Sequence, residues 1–266
     1  MPSVRIPVDR VCILDLRIPI TLSEGEFFAT SISLDVLTHV DRDHRGASLS
    51  GIARNTLEMG FRDASLDSLF STSGTVLAGL AEKGIIVSRV RARTDIREKS
   101  TGRSVRVLSE AWENGLSYGI EITGINACPC AQESIGLKTG IVPGDSEAAR
   151  LITHNQRIVS RVILKSGSLP TFSRLLHDIS GVTHGPLSST INSDEEADLL
   201  ISIHGRPMFV EDIVREIALA VSGNDELDDS SEIEVTCRSL ESIHPHDLEA
   251  GIVTSLGKIR QSVRLN

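Results

Sequence analysis

Apolar and polar positions along this chain switch between a two-residue and a three-to-four-residue period, and the switching predicts a mixed architecture. Residues 11–20 alternate at Leu14, Leu16, Ile18 and Ile20, and residues 28–37 are rich in Thr, Ser, Ile and Val. Both read as strands, paired as an antiparallel hairpin. From residue 49 to 83 the apolar positions Ile52, Leu57, Leu66, Leu69, Val76, Leu77, Leu80 and Ala81 fall three or four apart, which predicts two helices. Strands return at 86–93, 104–108 and 118–125. The first two carry Arg on one face and apolar residues on the other, a pattern read as a solvated sheet face or a subunit contact rather than a phosphate site.

The second half is more blurred. Residues 136–146 are rich in Gly and contain Pro143, so they are predicted to separate two halves, 1–135 and 136–266. A strand is expected at 158–164. Helices are expected at 170–179, with Phe172, Leu175, Leu176 and Ile179 on one face, and at 209–221, with Phe209, Ile213, Ile217 and Val221 on one face. An acidic loop at 224–232 leads into a last strand at 233–238. The outline strand, strand, helix, helix, strand, strand is discernible in both halves, so the predicted fold is α+β with a weak internal repeat.

Composition narrows the function. The 266 residues are 40% apolar, enough to bury a sizeable core in one large domain or two ordinary ones. A net charge of −9 disfavours nucleic acid or an anionic membrane as the main partner, while leaving room for a locally basic pocket. One Trp, one Tyr and six Phe are too few for stacking on exposed rings. Cys12, Cys128, Cys130 and Cys237 form no regular disulfide framework, and no stretch has the length of a signal peptide or membrane span. A reducing, cytoplasmic setting is expected.

Three clusters carry the chemistry. Cys128-Pro129-Cys130 alone is weak evidence, because two thiols one residue apart are cramped for a single ion and are as readily a buried, inert pair. One thiolate with the imidazole of His154 makes two ligands of the kind zinc or ferrous iron accepts, and a third ligand would leave room for a water of lowered pKa. Glu241, His244 and His246 supply the residue types that can transfer protons near neutrality when their environment is tuned. His39, His44, His177 and His204 stand apart and are assigned no role.

The ordered elements Gly124-Ile125-Asn126-Ala127-Cys128-Pro129-Cys130-Ala131-Gln132, Thr153-His154-Asn155-Gln156-Arg157, Pro207-Met208-Phe209-Val210-Glu211-Asp212 and Glu241-Ser242-Ile243-His244-Pro245-His246-Asp247 resemble those of the type IB GTP cyclohydrolases, most closely the archaeal pterin-pathway form. The resemblance implies the tunnelling fold, with two tandem ββααββ-like modules of antiparallel sheet and homo-oligomeric assembly, expected as a homotetramer. It implies a divalent metal, zinc, ferrous iron or manganese, held by Cys128 and His154. Cys130, Glu241 and His244 would be catalytic, and Gln156, Arg157, Glu211 and His246 would contact a nucleotide or related heterocycle. The implied reaction is attack of metal-activated water on C8 of a purine, with ring opening and loss of formate.

Three departures from the family pattern bear on substrate. A Gly-Ile-His-Met-Ser-Arg element is replaced by Gly46-Ala47-Ser48-Leu49-Ser50-Gly51, so Ser48 stands for the imidazole and Gly51 for the guanidinium unless His44, Arg45 or Arg54 reaches the same space. The glutamate that holds the guanine edge falls on Ile201, which cannot accept paired N–H donors. The third metal ligand, a glutamate in the family, falls in Ser180-Gly181-Val182-Thr183-His184, where His184 is the good donor. The expectation is a metal-dependent hydrolase of this family acting on a substrate other than GTP. The alternatives are a genuine GTP cyclohydrolase and a non-catalytic member that keeps the metal cluster for stability; a redox role for Cys128 and Cys130 ranks last.

Overall fold

The computed structural model describes residues 4–61, 64–141 and 152–264. By internal contacts the chain divides into two compact units, residues 1–97 with 106–119, and residues 98–105 with 120–266. The part of the expected boundary segment beyond residue 141 lies outside the described residues.

The first unit opens with β1 (Val8–Glu24) and β2 (Phe27–Val40), an antiparallel pair. It continues through α1 (Leu49–Met59), a short 3-10 turn (Asp67–Ser71) and α2 (Thr72–Glu82) into β3 (Arg89–Glu98), β4 (Ser104–Trp112) and the start of β5 (Gly115–Ala127). The element order strand, strand, helix, helix, strand, strand is the one the apolar periods predict. Strands β1 to β4 are hydrogen-bonded in chain order. Their inward residues, with the helices, build a core around Ile32, Leu34, Phe70, Val76, Leu80, Val90, Ile96 and Tyr118, each fully buried. The rings of Phe70 and Tyr118 meet at 5.4 Å.

The alternation of Leu14, Leu16, Ile18 and Ile20 does not hold along one buried face: Leu14 is exposed while Ile18 and Ile20 are buried. The pairing of β1 with β2 shifts register between Ile13 and Leu16, and Asp15 within that bulge has a φ of 52°. An extra residue in a strand turns every side chain before it to the other face.

The second unit carries the rest of β5, then α3 (Pro129–Thr139), β6 (Asn155–Lys165), α4 (Phe172–Thr183), α5 (Ser193–Gly205), α6 (Val210–Ser222), β7 (Glu232–Leu240), β8 (Leu248–Ser255) and α7 (Leu256–Arg264). Its strands follow chain order, β6 to β7 and β7 to β8 being antiparallel. Ile158, Val162, Phe172, Leu175, Ile179, Ile213, Ile217 and Val235 form its core. Cys237 lies within it; burial pushes this thiol up to about 11, opposed by a contact with the Ser160 hydroxyl, so it is an inert apolar filler. Helices α3, α5 and α7 and strand β8 are elements the apolar pattern did not announce. Among the described residues no helix is long and apolar enough to cross a membrane.

Candidate active site

The end of β5 and the start of β6 bring two of the expected ligands together through backbone. Cys128 N-caps α3 with extended dihedrals, and Pro129 occupies the first helical position, where its missing N–H is no loss. The Cys128 N–H donates to the His154 carbonyl at 3.0 Å, and the Thr153 hydroxyl donates to the Cys128 carbonyl at 2.7 Å. Cys128 is half-buried and Cys130, within the first turn of α3, is exposed.

The segment after β7 closes onto the same place. Nδ1 of His154 lies 2.9 Å from the Ser242 hydroxyl, and Nε2 of Gln156 donates to Oε1 of Glu241 at 3.3 Å. The Ser239 hydroxyl donates to that same oxygen at 2.7 Å. Gln156 is buried, and its own Oε1 has no partner among the described residues, an orphaned acceptor beside a carboxylate. His244 and His246 are exposed and stacked, ring centroids 5.3 Å apart. Arg238 donates through Nε and one terminal nitrogen to Asp247 at 3.0 and 2.7 Å, tying down the loop that carries both histidines.

Two further contacts connect the sequence elements, and neither was foreseen. The buried amide of Asn126 grips the backbone of Met208, Nδ2 donating to its carbonyl at 2.6 Å and Oδ1 accepting from its N–H at 3.3 Å. Gln132 Nε2 donates to the carbonyl of His204 at 3.2 Å. The His204 ring is buried with neither nitrogen partnered among the described residues, and burial lowers its pKa. The pattern around Asn126 and Gln132 was visible; which distant backbone each one holds was not.

Residues 1–250 match the family described as Type I GTP cyclohydrolase folE2. The chain belongs to this family. GTP cyclohydrolase MptA of Thermoplasma acidophilum is 28% identical over 285 residues, spanning 98% of this chain and 95% of that protein. GTP cyclohydrolase MptA of Aeropyrum pernix is 28% identical, spanning 86% of this chain and 84% of its own length. Uricase from Arthrobacter globiformis, a tunnelling-fold enzyme, superposes with a TM-score of 0.51 over 95% of this chain and 96% of that one. At 11% identity this likeness concerns the fold alone. Membership makes the chain a GTP cyclohydrolase-like hydrolase acting on cyclic C–N bonds.

The other expected family positions lie on several elements. His184 ends α4 in the left-handed region, with a φ of 49°. Its loop lies against Gly124 of β5, where Leu187 N–H donates to the Thr123 carbonyl at 3.1 Å. Burial first, and the Arg206 guanidinium second, hold its imidazole below the ordinary histidine value. Ile201 is 47% exposed on α5, and Arg157 and Glu211 are exposed on β6 and in the first turn of α6. Ser48 belongs to the first unit, where it precedes α1 without a side-chain cap and lines a cavity of 540 Å³. His44 and Lys83 line that cavity too; Arg45 and Arg54 do not.

Among the described residues no three of His, Cys, Asp and Glu are gathered closely enough to hold an ion. Cys128 and His154 carry a thiol and an imidazole, donor types that suit such an ion, and the contact of Nδ1 with Ser242 would leave Nε2 of His154 to ligate one.

Proposed function

We propose that this chain is a metal-dependent hydrolase that opens the five-membered ring of a purine-like nucleotide, and that its preferred substrate is not GTP. The observation that supports the reading most directly is the backbone hydrogen bond between Cys128 and His154, with Gln156, Glu241 and Ser242 hydrogen-bonded around it. It supports the reading by joining segments from three sequence elements that carry a thiol, an imidazole and a carboxylate.

Cys128 and His154 would hold a divalent ion, zinc, ferrous iron or manganese. When bound, the ion would supply Lewis-acid activation of water. The protein's own groups manage the protons. Glu241 receives two hydrogen bonds at Oε1, which fixes the carboxylate and leaves Oε2 to accept a proton from the attacking water. Cys130 and His244 are assigned to protonate the ring nitrogen as its bond to C8 breaks; a second hydrolysis releases formate. Gln156, through its unpartnered Oε1, accepts from a donor on the heterocycle, while Arg157, Glu211 and His246 hold the rest of the substrate.

The substrate assignment rests on Ser48, Gly51 and Ile201, which replace the imidazole, guanidinium and carboxylate of the family pattern. We read the two halves as tandem modules of the tunnelling fold, assembled as a homotetramer. The test is turnover by metal-loaded protein under anaerobic conditions against GTP and a panel of purine nucleotides, scored by formate release and pterin fluorescence. Metal-stimulated formate release from a nucleotide other than GTP is expected. Efficient turnover of GTP would overturn the substrate assignment, and turnover unaffected by metal removal would overturn the metal.

A further inference from the structure

The first unit carries a second constellation that the cyclohydrolase reading does not use. Period-two alternation in β3 buries Val90, Ala92, Thr94 and Ile96 and turns Arg91, Arg93, Asp95 and Arg97 outward. Of these, Arg93, Asp95 and Arg97, with Arg17 and Asp15 of β1 and Arg106 of β4, line a cavity of 690 Å³. Four guanidinium groups face two carboxylates there, in a chain whose net charge is −9.

The acidic groups on this face hold arginines in place. Asp35 accepts from Arg93 at 2.9 Å and from the Asp15 N–H at 2.9 Å. Asp15 accepts from the Ser33 hydroxyl at 2.6 Å and from Arg17 Nε at 3.3 Å, and Asp95 accepts from Arg106 Nε at 2.8 Å. Asp15 does this from a positive φ that a non-glycine residue rarely adopts, so the bulge is held by those contacts. The Ser33 hydrogen bond, above all, lowers its pKa and keeps the anchor ionised. A guanidinium has five N–H donors in a rigid fork. Arg17 and Arg93 each give one nitrogen to these carboxylates, and Arg97 makes no ion pair among the described residues. Donors fixed in direction, with surplus positive charge around a cavity of ligand size, are the conditions for oxyanion capture.

We propose that this cavity binds a linked phosphate anion, a di- or triphosphate. From Arg17 on β1 to Arg106 on β4 the strands span three spacings, roughly 14 Å, too wide for a single phosphate to bridge. Linked phosphates reach several of the forks at once. The source is either free polyphosphate or the tail of a nucleotide.

The test is calorimetric titration of metal-free, full-length protein with orthophosphate, pyrophosphate, tripolyphosphate and GTP at two salt concentrations. Tripolyphosphate should bind at least tenfold more tightly than orthophosphate and weaken as salt rises. The exposed double variant Arg17→Gln/Arg97→Gln should lose tenfold or more in affinity with an unchanged circular dichroism spectrum. Cys128→Ala should keep the affinity, which separates this site from the candidate active site. Tighter binding of GTP than of tripolyphosphate assigns the nucleotide tail, and equal binding assigns the free anion. Equal affinity in the double variant, or loss of binding in Cys128→Ala, overturns the proposal. So does a change of oligomeric state in the double variant without a change in anion affinity, which makes the face a subunit contact.

Discussion

The side chain of Asn126 holds the backbone of Met208 at both of its polar atoms, donating to the carbonyl and accepting from the N–H. Both groups are buried, and the residues are separated by 82 positions. The pair joins the strand that delivers Cys128 to the segment that starts α6. Asn126→Ala leaves a buried donor and a buried acceptor unpaired, so it should cost about 2–4 kcal/mol. Urea unfolding gives that cost, and a loss below about 1 kcal/mol would mean that water replaces the amide. Asn126→Asp should be nearly as damaging, because a carboxylate can accept from Met208 N–H and cannot donate to its carbonyl.

Gly124 is a second structural hinge of the same strand. A Cβ built there runs into the Thr183 carbonyl oxygen, and the obstruction is backbone rather than a side-chain tip. Gly124→Ala must therefore push the end of α4 away from β5, with a destabilisation on the order of 2–3 kcal/mol. Thermal melting is the measurement, with Gly46→Ala as the control, since a Cβ at Gly46 meets open space.

What was legible in the sequence follows from what the core records. Strands β1 to β5 and helices α4 and α6 each bury a face, so their periods were readable. Helix α3 buries no residue and presents no apolar period; Pro129 at its first turn and Gly140 at its left-handed end bracket it instead. Helix α5 is announced by a capping box, Asn192 with Glu195, rather than by hydrophobicity. Strand β8 has no fully buried position. The candidate site was legible as residue types but not as geometry, because the bond joining Cys128 to His154 is between main chains. A backbone contact of that kind leaves no trace in side-chain spelling.

His204 makes a pH prediction with a definite sign. Burial lowers the folded-state pKa of its imidazole, and neither nitrogen has a partner among the described residues. Below the unfolded value near 6.5 the unfolded chain binds a proton that the folded chain resists, so stability falls as pH drops through that value. Unfolding midpoints between pH 7.5 and 5.5 should decline in the wild type and decline less in His204→Leu. His184, whose shift has the same direction, contributes to the residual slope. An identical slope in the variant would show that His204 is paired or hydrated in solution.

The two thiols of the Cys-Pro-Cys element should separate by function. Cys128→Ser should bind metal at least tenfold more weakly and lose turnover, while circular dichroism stays unchanged because its backbone bond to His154 survives. Cys130→Ala should keep the metal and lose roughly 100-fold or more in kcat, the scale of a positioned proton donor. Elemental analysis beside steady-state kinetics distinguishes the two. Loss of fold in Cys128→Ser on metal removal would support a structural metal instead.

Ile201 offers the sharpest test of substrate. It is 47% exposed on α5, so a glutamate there meets no burial cost and should change stability by less than about 0.5 kcal/mol. If the position reads the guanine edge, Ile201→Glu restores an acceptor for two N–H donors, and a site built to hydrogen-bond discriminates far more strongly than an apolar one. The variant should raise kcat/KM for GTP tenfold or more. Its effect on inosine triphosphate, which lacks the exocyclic amino donor, should be much smaller. A rise for both nucleotides would signal a general electrostatic effect, and no rise for either would move guanine recognition away from α5, toward the unpartnered Oε1 of Gln156.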